Sequence, residues 1–166
     1  MLLVATYFTA LDGRYPLRYT ALICEKADKY ALDPAFVAAV ACTESGFDPS
    51  ARSGKGACGL MQLMPKTAEW IADKNGLTYS SELLFDEEYN MEIACAYIRY
   101  LFDRFHRDAD VAAAYNAGEG NVRKWLSTGK IEFSETADYV KKVAGAKNVY
   151  RVRLGRERRA ICKRNE

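Results

Sequence analysis

The sequence predicts an all-α domain, on three observations. Apolar residues recur at helical spacing through most of the chain, short turns marked by Gly and Pro separate those stretches, and no run alternates with the period of two that a strand requires. With 166 residues and 49% hydrophobic content, the chain is long enough to bury one core and too short to suggest two domains of usual size.

The helices follow in order. Tyr19 to Tyr30 reads as a first amphipathic helix. Asp33-Pro34 supplies an N-cap and a proline at the first helical position, opening a second helix that ends near Gly46. Pro65 opens a third through Asn75, stopped by Gly76. The longest spans about Asp86 to His106, where Met91, Ala94, Tyr97, Ile98, Leu101, Phe102 and Phe105 trace a wide apolar face, and the others are expected to pack around it. Two shorter helices, Asp110 to Asn116 and Glu119 to Leu126, flank the Ala117-Gly118 break, and Glu135 to about Lys147 forms the last.

Outside these helices the chain carries two biased ends. Leu2 to Leu11 is apolar but falls well short of the ~20 residues that span a bilayer, and reads as the stub of an upstream membrane anchor or as an N-terminal segment packed on the domain, with the stub favoured. The formal charge of +2 is unevenly placed, because Arg151 to Glu166 holds seven Lys/Arg against two Glu and so leaves the rest of the chain at −3. A basic tail of this kind is a solvated helix or a patch for anionic polymer or lipid, with the solvated face favoured, and no nucleic-acid partner is expected.

Five cysteines without a CxxC pair cannot all pair within one chain, so they read as small hydrophobes. A single histidine, His106, leaves a zinc site few ligands, and no metal or cofactor is expected. His106 ends the long helix, where a cation is stabilised by the helix dipole, so its pairing with Cys42 or Cys58 as a peptidase is remote. No phosphate-binding glycine loop occurs.

One residue breaks two local rules. Glu44 continues the stripe of Val37, Val40 and Ala41 and therefore faces the core, and it does so at the helix end that disfavours anions. Desolvation raises the pKa of such a carboxyl, as a general acid at a glycosidic oxygen requires. A buried Glu satisfied by a neighbouring hydroxyl would fit the same position. The loop that follows, SARSGKGACG, has Gly54, Gly56 and Gly59 to admit a ligand close to the backbone.

ESGFDPSARSGKGACGLMQLMP resembles the signature of the soluble lytic transglycosylase (SLT) domain family, peptidoglycan-cleaving and goose-type-lysozyme-like. YNMEIACAYIRYL, AAAYNAGEGNV and ETADYV are similar to three further blocks of that family, in the same order. The resemblance implies a lysozyme-like helical fold with a substrate groove, in a domain spanning 15–150 between an N-terminal segment (1–14) and the tail (151–166).

It also implies Glu44 as the catalytic acid, Ser53 and Gln62 in contact with sugar, and Met64 lining the cleft. Tyr115 and Asn116 would face Glu44 across it, with Glu135 and Tyr139 on the far side. The departures are Ala94, where glycine is usual, and the cysteines Cys42 and Cys58.

Retaining glycosidases place a second carboxylate about 5 to 5.5 Å from the first. The nearest in sequence, Asp48, reads better as a loop cap. The family route is then substrate-assisted cleavage of the MurNAc-GlcNAc β-1,4 bond, giving 1,6-anhydro ends. A lysozyme-like hydrolase and a non-catalytic peptidoglycan-binding module are the alternatives. The expected partners are glycan strands, the expected state a monomer, and the expected location the cell envelope.

Overall fold

A computed structural model describes residues 13–130 and 132–162. The expectation for Leu2 to Leu11 lies outside these residues. Among those described, no helix is long and apolar enough to cross a membrane.

Seven α-helices lie wholly within the described residues: α1 (Thr20–Lys29), α2 (Pro34–Ser45), α3 (Pro65–Lys74), α4 (Glu87–Phe105), α5 (Asp108–Ala117), α6 (Glu119–Thr128) and α7 (Ser134–Cys162). A 3-10 turn, Glu82–Phe85, precedes α4 and was not legible in the sequence. Two isolated bridges, Arg52 with Cys58 and Cys58 with Leu63, are the β-type pairing among the described residues.

α2 is the central helix. Asp33 caps it by accepting from the Ala35 N–H at 2.9 Å, Pro34 sets its first turn, and every residue from Ala35 to Ala41 is buried. A helix that is apolar all round has no solvent face, so it must be enclosed. α7 packs on it most extensively and also covers α5, while α4 gathers α1, α3, α5 and the 3-10 turn. The organising role expected of the long helix is therefore shared, because α2 is the more completely buried of the two.

Lys147 of α7 reaches Asp33 at 2.9 Å and Asp108 at 2.5 Å, binding the starts of α2 and α5 to one cation. Lys26 joins α1 to α4 through Glu88 at 3.0 Å and Glu92 at 3.2 Å.

α7 runs well past Lys147, where the sequence reading ended it. The stripe Tyr139, Val143, Ala146, Tyr150, Leu154 keeps helical spacing into the basic segment, and all five are buried. Tyr150 donates to the Pro16 carbonyl at 3.1 Å and Arg153 to that of Tyr15 at 2.5 Å. The first turn of the tail is thus packed on one face, with Arg151 and Val152 exposed on the other.

Cys24, Cys42, Cys58 and Cys95 are free thiols, the last two buried. His106 is the left-handed C-cap of α4, its N–H bonded to the Phe102 carbonyl.

Candidate active site

α2 stops at Gly46, whose φ of 63° turns the chain and leaves Glu44 in the last helical turn. α7 brings Tyr139 to it, and the Tyr139 hydroxyl donates to Glu44 Oε1 at 2.7 Å. Burial pushes the Glu44 carboxyl from its ordinary 4.5 up to about 7, against the Tyr139 hydrogen bond, which stabilises the anion. Burial and the nearby Glu44 charge raise the Tyr139 phenol well above 10, so it stays a donor at neutral pH. Asp48 is exposed and accepts from the Ser50 N–H at 2.8 Å and hydroxyl at 2.7 Å, which holds its carboxyl below the usual range. It caps the loop.

That loop is cross-braced. Cys58 and Leu63 exchange both backbone hydrogen bonds at 3.0 Å, and Ser53 closes its tip by bonding the Ala57 carbonyl through its N–H and the Ala57 N–H through its hydroxyl, each at 2.9 Å. Gln62, at φ 47°, donates its amide N–H groups to the Ala51 and Gly59 carbonyls, both at 3.0 Å. Gly59 lies so close to the 3-10 turn and α4 that a Cβ there would sit 2.1 Å from the Leu84 carbonyl oxygen and 2.5 Å from Asn90 Nδ2, and its φ is +75°.

A cavity of about 260 Å³ opens between this loop, α3, α4 and α5, lined by Gln62, Met64, Thr67, Tyr97, Tyr115 and Asn116 among others. Four of the residues expected in the site thus share one cavity. Tyr115 links it to the acid: burial, followed by the Glu44 charge, raises its phenol well above 10, and its hydroxyl donates to the Met61 carbonyl at 2.7 Å. Met64 is 43% exposed at the rim. Asn116 is exposed, and its Oδ1 accepts from the Thr136 hydroxyl at 2.9 Å. Glu135, the residue before, is exposed in the first turn of α7, where its charge faces the positive helix end. Ser53 lies at the loop tip, partly exposed.

Sequence reasoning missed the residues that hold this frame. Asn90 is wholly buried; its Oδ1 accepts from the Met61 N–H at 2.8 Å, and its Nδ2 donates to the carbonyls of Leu84 at 2.8 Å and Cys58 at 3.1 Å. Its one signal is an amide at the start of an apolar helix stripe. Ser45 donates to the Leu60 carbonyl at 2.7 Å and accepts from the Asp48 N–H at 3.0 Å. Tyr97 stands behind Tyr115 with ring centres 5.3 Å apart.

The chain is similar to several known proteins. The family model described as Transglycosylase SLT domain matches residues 21–136. The soluble lytic murein transglycosylase of Escherichia coli K12 is 36% identical over 159 residues, covering 87% of this chain and 25% of the relative. Membrane-bound lytic murein transglycosylase C of Edwardsiella ictaluri is 32% identical over 124 residues, covering 68% of this chain and 34% of the relative. An inactive mutant of the lytic transglycosylase Slt from Pseudomonas aeruginosa superposes with a TM-score of 0.84 at 34% identity, covering 87% of this chain and 26% of that one. The chain spans between a quarter and about a third of the length of these proteins. A family model that matches residues 21–136, with relatives above 30% identity, leaves one assignment: the chain belongs to the Transglycosylase SLT domain family.

Proposed function

We propose that this chain is a peptidoglycan lytic transglycosylase domain, spanning 15–150, that cleaves the MurNAc-GlcNAc β-1,4 bond in the cell envelope. One observation carries the reading: Glu44 is half-buried and bonded to Tyr139, burial pushes its carboxyl up to about 7, and among the described residues no other carboxylate contributes to that shift.

Glu44 enters protonated and gives its proton to the glycosidic oxygen as the bond from that oxygen to the MurNAc C1 breaks, releasing the GlcNAc 4-hydroxyl. The acetamido carbonyl of the same MurNAc supports the electron-poor C1. Glu44, now a carboxylate, takes the proton of the MurNAc O6 hydroxyl, and O6 bonds to C1. The ring closes as a 1,6-anhydro sugar, Glu44 is again protonated, and no water is consumed. Because O6 belongs to the substrate, its effective concentration far exceeds that of a diffusing nucleophile.

The surrounding groups suit sugar. Gln62 uses its N–H groups on the loop, which leaves Oε1 to accept from a ligand. Thr136 fixes the Asn116 amide by its oxygen, leaving Nδ2 to donate. Met64 and the Tyr115 ring give apolar surface to a pyranose face, Ser53 retains its hydroxyl hydrogen, and Glu135 bounds the far side.

Digesting purified peptidoglycan and weighing the fragments tests the proposal. Anhydro ends lighter by one water than reducing ends are expected. Predominantly reducing ends would make the domain a hydrolase, and glycan binding without turnover would make it a binding module.

A further inference from the structure

α3 is the common wall of two hollows. Thr67 lines the cavity described above, while Lys66, Glu69, Trp70 and Asp73, with Leu77 and Tyr79 of the following segment, line a second of about 510 Å³. Trp70 is 43% exposed, an unusual cost for so large an apolar ring in a domain with an extensive core. Its inner edge is fixed. The ring meets Tyr100 at 4.7 Å and 89°, and Tyr97 at 6.5 Å and 79°, and Tyr97 in turn lines the first cavity and touches Tyr115. Four aromatic rings, Tyr115, Tyr97, Tyr100 and Trp70, therefore run without a break from the cavity that Tyr115 lines to the outer face of Trp70.

We propose that Trp70 and the rim of the second hollow form an additional saccharide subsite, holding sugars of the same strand outside the cleavage cavity. This rests on the transglycosylase reading. A flat indole held edge-on by two tyrosines offers its face to the C–H face of a pyranose. Around it, the Glu69 and Asp73 carboxylates accept from sugar hydroxyls, and the Lys66 ammonium donates to hydroxyl or amide oxygens. Two carboxylates against one ammonium give the rim a net negative charge, which suits GlcNAc, the uncharged sugar of the strand, and repels a free MurNAc lactyl carboxylate and an acidic stem peptide alike.

The test is binding of peptide-free glycan strands, kept apart from turnover by working in the Glu44→Gln background. Trp70→Ala should weaken binding about tenfold and Trp70→Phe, which keeps a flat ring, by less than about threefold. The chain has two tryptophans, so in Trp125→Phe the emission of Trp70 alone reports, and strands should change it. That readout stands even if Trp70→Ala fails to fold. Unchanged Trp70 emission at saturating strand, or equal affinity of the folded Trp70 variants and the parent, would overturn the subsite. Weakening seen with peptide-bearing but not peptide-free strands would also overturn it, assigning the hollow to the stem peptide. Failure of the transglycosylase reading shows separately, as the absence of anhydro products from the Glu44 protein.

Discussion

Tyr139 donates to Glu44 Oε1 at 2.7 Å across a sequence separation of 95 residues, and among the described residues it is the one side chain bonded to that carboxyl. The bond stabilises the carboxylate while burial destabilises it, so the two set the pKa near 7 between them. Each can be changed separately.

Glu44→Gln is expected to abolish cleavage and leave the fold intact. The folded state holds the Glu44 proton more tightly than the unfolded chain, so the stability due to this group is complete below about pH 4.5 and drains away as pH rises through about 7. The shift amounts to about 3 kcal/mol at pH 8. The variant should therefore melt near the parent at pH 4 and above it at pH 8. Equal melting temperatures at both would show that burial does not load this carboxylate.

Tyr139→Phe removes the hydrogen bond that favours the anion. The Glu44 pKa should rise further, moving the alkaline limb of the pH-rate profile upward while the maximal rate falls. A limb that stays in place would mean that Tyr139 only packs.

Tyr115→Phe strips the Met61 carbonyl of its hydroxyl partner and should cost about 1 to 2 kcal/mol of stability. Turnover should fall more than strand affinity if the phenol oxygen also orients the acetamido group as charge develops. Stability loss with a normal rate would confine Tyr115 to holding the loop.

Asn90→Ala deletes three buried hydrogen bonds at once and is expected to cost about 3 kcal/mol, lowering activity through the loop without touching substrate. Thermal melting and hydrogen exchange at Met61 check this, since the Met61 amide should lose protection. Protection equal to the parent's would remove Asn90 from that role.

Much of this arrangement is local and so was legible in the chain. Asp33-Pro34 and Gly46 mark both ends of α2, and the Val37, Val40, Ala41 stripe turns Glu44 inward without reference to any other element. The partner of Glu44 was not derivable from spacing, because the approach of α7 to α2 depends on packing between distant segments; resemblance alone pointed to Tyr139. Ser53 and Gln62 show a different limit: their types suit sugar contact, yet each spends hydrogen bonds on loop backbone, which composition cannot reveal. The length of α7 was hidden by charge, since Arg151, Arg153 and Arg156 draw attention from Tyr150 and Leu154 on the buried side.

Met61 is gripped from both sides, its N–H by Asn90 on α4 and its carbonyl by Tyr115 on α5. The rim of the cavity is thereby frozen at the moment of folding, not at the moment of capture. Ordering a slack backbone on binding would cost about 1 to 2 kcal/mol for each residue immobilised. An arriving strand meets a rim whose entropy is already spent, so its affinity goes to positioning the sugar and not to shaping the protein.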